Sequence, residues 1–129
     1  MIKKRTEFTD IYLFEKLTKF NEIKHFISSN VNKKNGQIKN DFDISFTGGK
    51  SHDEILQNRK ILADAADIPA DSFVMQEQVH GNRVYTVKPN DKGRGFNDHK
   101  DSILQTDAMI TNENGICLFL FAADCVPII

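Results

Sequence analysis

The sequence predicts an α+β domain, a mixed or antiparallel sheet flanked in layers by helix. Three observations carry that expectation. Residues 51–66 have helical spacing and a helix start, whereas several short stretches are aromatic, β-branched or alternating. Mixed strands with a single clear helix imply an α+β sheet flanked by helix on at least one side. Finally, Gly115-Ile-Cys-Leu-Phe-Leu-Phe-Ala-Ala-Asp-Cys-Val-Pro-Ile-Ile129 contains an unbroken apolar run over 116–123. Such a run suits a strand buried on both faces of a sheet.

Taken in order, residues 1–7 are polar and basic and read as a frayed end. Residues 10–17 are aromatic and aliphatic without a cap and read as a strand, as does 23–29. The Asn- and Lys-rich run 30–40, with Gly36, is a loop. Residues 42–46, Phe-Asp-Ile-Ser-Phe, alternate with period two and predict a half-exposed strand that Gly48-Gly49 ends. Ser51-His-Asp-Glu54 is a capping box, with Ser51 as N-cap and Glu54 reaching back to its amide. Ile55, Leu56, Leu62, Ala63 and Ala66 then form one apolar face, and Asp67-Ile-Pro69 stops the helix near Ala66. Residues 73–78 and 83–87 predict strands around a break at His80-Gly81-Asn82. The charged, aperiodic stretch 89–102, with Gly93 and Gly95, predicts a mobile surface loop. A short strand at 106–111, a turn at 112–115 and the apolar run complete the sheet.

Composition narrows the function classes. At 129 residues the chain has the length of one domain, and 40% hydrophobic with 27% charged residues is ordinary for a soluble globular protein. A formal net charge of -1 makes no electrostatic case for nucleic acid or an anionic membrane as partner. The apolar run is too short to span a bilayer, and Met1-Ile-Lys-Lys-Arg leads into polar residues rather than a signal peptide. Cys117 and Cys125 fall at opposite ends of one strand, where roughly 3.3 Å per residue carries them beyond disulfide reach. Both are expected as free thiols in a reducing cytoplasm. The chain stops on apolar Val126-Pro-Ile-Ile129, which reads as an incomplete domain whose cut edge could self-associate.

Of the four histidines, His80 stands apart because Gln78-Val-His-Gly81 puts it at a strand end before a turn-forming glycine. His25 lies within a predicted strand, His52 at the first turn of the helix and His99 in the charged loop, all ordinary structural or solvated places. His80 alone is still more often a turn histidine than a ligand. Cys117 reads as an inert small hydrophobe, while Cys125, beside Asp124, is expected at a polar rim. An imidazole and a thiolate brought together suit either a Cys/His nucleophile pair or part of a zinc site. Spacing does not choose between them.

Gln78-Val-His-Gly81, Thr106-Asp-Ala-Met-Ile-Thr111 and Ala123-Asp-Cys-Val-Pro127 follow one another in the order that marks the YfiH-like family, and Asn58-Arg59 matches its Asn-Arg pair. That family also carries the label of multicopper polyphenol oxidoreductase, or laccase-like, proteins. The resemblance covers the first half of a typical family domain, before a His-Ala-Gly-Trp-Arg-Gly motif that this chain does not contain. It implies a YfiH-like layered fold and a zinc ion held by His80, Cys125 and a third histidine beyond Ile129. Gln78, Asp124, Asn58 and Arg59 would bind substrate. It further implies phosphorolysis of purine nucleosides such as adenosine and methylthioadenosine, with adenosine deamination as an accompanying activity. Copper fits less well, because a multicopper centre needs many histidines and the four here are scattered. The chain departs from the family at Phe26-Ile-Ser-Ser-Asn30, where an arginine is expected and none stands. A hydrolase or amidase with Cys125 as nucleophile, and an inactive binding module, stay as alternatives.

Overall fold

Strand 73–75 has the composition of a fully buried element, and it organises the half of the chain that carries the motifs. In a computed structural model, which describes residues 1–122, the chain forms two units, Met1–Ile68 and Pro69 onward. The first contains an antiparallel sheet in the order β1 (Ile2–Arg5), β2 (Asp10–Leu13), β3 (Ile27–Ser28), with α1 (His52–Ala66) packed against β2. The second contains two parallel pairs, β4 (Phe73–Met75) with β7 (Cys117–Phe119) and β5 (Val84–Thr86) with β6 (Ala108–Ile110). Antiparallel and parallel pairing, with one α-helix among the described residues, bears out the expected mixed α+β class.

The basic N-terminus is a strand rather than a frayed end. Ile2 pairs with Leu13 and Arg5 with Asp10 across a turn in which Thr6 donates its amide to Thr9 O at 3.1 Å. Charge explains the ordering: Asp10 is buried and is paired with both Lys3, at 2.9 Å, and Lys33. Burial alone would raise the Asp10 carboxyl, but Lys33 and Lys3 hold it below the usual carboxylate range. The strands predicted at 10–17 and 23–29 are shorter, ending at Leu13 and starting at Ile27.

The helix begins as expected, with Ser51 Oγ accepting the Glu54 amide at 3.2 Å. Glu54 itself turns to Lys50, 2.5 Å away, instead of completing the capping box. Asp67 takes the left-handed stop at φ 55°, and the Ile68 amide returns to Ala63 O at 3.0 Å. Residues 42–46 form no strand despite their alternation. Two of their carbonyls are taken by helix side chains: Asn58 Nδ2 donates to Asp43 O and Arg59 Nε to Ile44 O, each at 2.7 Å. Together with Phe42 N donating to Asn30 O at 2.8 Å, these bonds stand in place of a strand ladder.

The charged stretch 89–102 is not a loose loop either. It lies along the second edge of β4: Gly93 N donates to Phe73 O and Met75 N to Arg94 O, both at 2.9 Å. Ile103 N donates to Met75 O at 2.9 Å, continuing the same edge. Asp91 anchors the turn by accepting the Lys88 amide at 2.9 Å and Arg94 Nη1 at 3.1 Å. Gly95, at φ 76°, is required by close approach, since a Cβ there would stand 2.8 Å from Met75 Cβ. Below β4, Phe73 meets Phe96 and Phe119 with ring centroids 5.4 and 5.7 Å apart. Val74, Val87 and Ile103 form a second cluster on its other side. Each such side chain contributes about 1.5–3 kcal/mol on full burial. β7 is only half covered, with Phe119 buried, Cys117 and Leu118 intermediate and Leu120 38% exposed. With Cys117, Leu118 and Leu120 all partly open, the expected burial on both faces is not met there, and its second edge has no strand among the described residues.

Two outcomes follow from this packing. Gly95→Ala should lower unfolding stability by about 1–3 kcal/mol, from the left-handed backbone and the contact with Met75, as read by urea titration. An unchanged midpoint would count against the Gly95–Met75 contact. For Asp91, burial favours the neutral acid, but the Lys88 amide and Arg94 outweigh it and hold the carboxyl below its usual range. Its contribution is then complete above the unfolded value of about 4 and is lost as pH falls through the lower folded value. Asp91→Asn should flatten that part of the acid limb of a stability–pH profile, and an identical acid limb would refute the assignment.

Candidate functional site

Parallel pairing places the ends of β4 and β7 side by side. Phe73, Val74 and Met75 lie opposite Cys117, Leu118 and Phe119, so both strands run toward the same edge. Just past that edge, Gln78 Oε1 accepts the Phe121 amide at 3.1 Å. The Gln78-Val-His-Gly81 segment is thereby fastened to the strand that leads toward Asp124-Cys125. Asp124 and Cys125 themselves lie outside the described residues.

His80 sits on the turn just beyond. It adopts φ 57°, a left-handed backbone that a non-glycine residue takes at a cost of about 1–2 kcal/mol. The compensation comes from Asp107. Its Oδ1 accepts the amides of Val79 at 3.0 Å and His80 at 2.8 Å, and its Oδ2 accepts that of Gly81 at 2.9 Å. Burial works against the charge of Asp107, but the amides of Gly81, Val79 and His80 prevail and keep the carboxyl below the usual range. Gly81 leaves room for that contact, since a Cβ there would stand 3.2 Å from Asp107 Oδ2 and the carboxylate would have to give by a few tenths of an ångström. With its backbone held, the exposed His80 imidazole makes no hydrogen bond among the described residues.

The other residues singled out from the sequence fall elsewhere. Asn58 and Arg59 belong to the first unit, where both are buried on α1 and hold the 43–44 backbone. The Arg59 guanidinium stacks over Phe46 at 4.1 Å, and Phe46 stacks on His52 at 4.8 Å. Burial pushes Arg59 down to about 10, with Asp43 partly offsetting it, so the guanidinium stays charged at neutral pH. His25 is structural, with its Nε2 receiving the Phe14 amide at 2.9 Å. Asp107 escaped the sequence reading as a site residue, although it stands within the Thr106-Asp-Ala-Met motif. Nothing in residue type or spacing told that its carboxylate would reach back 27 residues to the His80 amide.

An imidazole in this setting fits one position of a zinc shell. Among the described residues, no three His, Cys, Asp or Glu side chains converge as a metal cluster, so His80 is the donor they offer. Cys117 is unsuited to the role, since burial pushes its thiol up to about 12. Iodoacetamide at pH 7.5 should therefore leave Cys117 unmodified in the folded chain and label it in urea. Brisk labelling of the native protein would contradict that burial.

The chain matches, over residues 25–129, the family described as multi-copper polyphenol oxidoreductase laccase. It is 33% identical over 108 residues to purine nucleoside phosphorylase YlmD of Bacillus subtilis (strain 168), covering 81% of this chain and 39% of that protein. The crystal structure of YlmD from Geobacillus stearothermophilus matches with a TM-score of 0.63 at 30% identity, over 66% of this chain and 32% of that one. That of Bacillus licheniformis hypothetical protein YfiH matches with a TM-score of 0.70 at 18% identity, over 93% and 43%, a likeness of fold. The chain thus spans less than half the length of these relatives. Among the described residues, no helix is long and apolar enough to cross a membrane.

Proposed function

The chain belongs to the multi-copper polyphenol oxidoreductase laccase family, and from that premise we propose that it is the N-terminal part of a single domain that phosphorolyses purine nucleosides at a zinc site. The observation that carries this reading is the turn at His80. An exposed imidazole stands on a locked backbone, beside a strand that leads to Asp124-Cys125. A relative that aligns with 81% of the chain is named a purine nucleoside phosphorylase, which supports the reaction class.

In this reading His80 and Cys125 are two zinc ligands, and a third histidine comes from family sequence outside this chain. Zinc, when bound, would supply positive charge beside the reacting oxygen. Gln78 has its Oε1 committed to the Phe121 amide, which leaves its NH2 group to donate to the nucleoside. Asp124, Asn58 and Arg59 would be further substrate-binding residues. Phosphorolysis forms a bond from a phosphate oxygen to ribose C1′ as the bond to the purine nitrogen breaks, with the electron pair leaving on the base. Adenosine deamination at the same site is the accompanying activity. Cytoplasmic residence and self-association through the apolar C-terminal stretch complete the proposal.

With the remaining domain supplied from a relative, elemental analysis after dialysis should find one zinc per chain, lost in both His80→Ala and Cys125→Ala. The chain alone is expected to release little adenine. Joined to the remaining domain of a relative, it should convert adenosine and phosphate to adenine, and His80→Ala should slow this by at least about 100-fold. Equal rates would overturn the reading. Inosine instead of adenine would assign deamination, and fast zinc-independent alkylation of Cys125 would favour the hydrolase alternative.

A further inference from the structure

The stretches on either side of the His80 turn are stitched together by two carboxylates acting in opposite directions. Asp107 reaches from the start of β6 to the amides of Val79, His80 and Gly81. Glu77 reaches the other way, its Oε2 accepting the Gln105 amide at 3.2 Å while its main-chain oxygen accepts that of Thr106 at 2.9 Å. Arg83 Nη1 adds a bond to Leu104 O at 3.1 Å. Of the four non-glycine residues with positive φ among the described residues, Asn35, Asp67, His80 and Gln105, two lie in this stitched pair. The strained backbone is concentrated where the carboxylates hold it.

We propose that Asp107 is the positioning residue for His80: by gathering three consecutive amides on one carboxylate, it locks the turn that presents the imidazole to the metal. The zinc part of this inference rests on the functional reading above; the backbone part does not. Three donors need a group with two accepting oxygens. Asparagine would offer one oxygen and set its own NH2 against the Gly81 amide. The Asp107 main chain is itself tied, its amide donating to Arg83 O at 3.1 Å as β6 begins. The backbone that carries the carboxylate is thus fixed to the β5–β6 pair, and the three amides hold the carboxylate itself. A ligand aimed this way is set before the metal arrives, which is the effect of a supporting shell around a metal site.

The test compares the whole 129-residue chain with Asp107→Ala, Asp107→Asn, Glu77→Gln and His80→Ala. It reads amide hydrogen exchange and backbone couplings by NMR, and zinc affinity by competition with a chromophoric chelator. Asp107→Ala should abolish protection of the Val79, His80 and Gly81 amides, release His80 from positive φ and weaken zinc binding by about 10-fold or more. Asp107→Asn should retain part of both. Glu77→Gln, which loosens the same junction without touching those amides, should leave zinc affinity unchanged. Protection and coupling unchanged in Asp107→Ala would overturn the proposal. So would lost protection with wild-type zinc affinity, provided His80→Ala loses zinc. If wild type and His80→Ala bind zinc equally, or neither binds, the zinc reading fails and the amide readout alone decides the role of Asp107. Should Asp107→Ala not fold, Asp107→Asn against Glu77→Gln carries the same comparison.

Discussion

A three-residue parallel strand pair has no hairpin to close it, and the second unit depends on how β4 is held all the same. Both of its edges are used: β7 takes one in register and the backbone of 93–103 takes the other. Phe73 seats its underside against Phe96 and Phe119, and Val74 its upper side against Val87 and Ile103. Parallel pairs require long crossovers. Here the crossover between β5 and β6 is not idle chain, because it supplies the second edge of β4 on its way. That double duty explains why a stretch so charged and aperiodic is nonetheless ordered, with Asp91 and Gly95 as its fixed points.

The site inherits its geometry from this arrangement. Because β4 and β7 run in the same direction, their exits are neighbours, and Gln78 can close the gap to Phe121 with one hydrogen bond. Because β5 pairs with β6, the residue before β6, Asp107, returns to the turn that links β4 to β5. His80 is held by its backbone and presented by its side chain. The two roles are separable, which lets the imidazole stay exposed while its backbone is held by a carboxylate.

Buried polar residues in the first unit serve a different purpose. Asn58 and Arg59 sit on the apolar face of α1, where a simple hydrophobic pattern would put leucine or alanine. They spend their donors on the carbonyls of residues 43 and 44 and so replace a missing strand neighbour. Asp10 plays the same part electrostatically, drawing Lys3 and Lys33 onto the sheet and ordering an N-terminus whose composition suggests fraying.

What could be read from the chain alone was whatever depends on near neighbours. The Ser51 cap, the 3.6-residue spacing of Ile55, Leu62 and Ala63, and the stop near Ala66 are local, and they stand as expected. The family, too, was legible from three short motifs in order, with His80 among them. What only the tertiary structure decided are choices between partners distant in sequence. Residues 42–46 alternate like a strand, yet Asn58 and Arg59 claim their carbonyls first. Residues 89–102 look like open loop until the free edge of β4 offers them hydrogen bonds. Asp107 looks like one surface acid among many until three amides, 26 to 28 residues away, are folded onto it. Periodicity records how a segment would bury its side chains. It carries no information about which distant donor or acceptor reaches its backbone first, and in this protein that competition shapes the site.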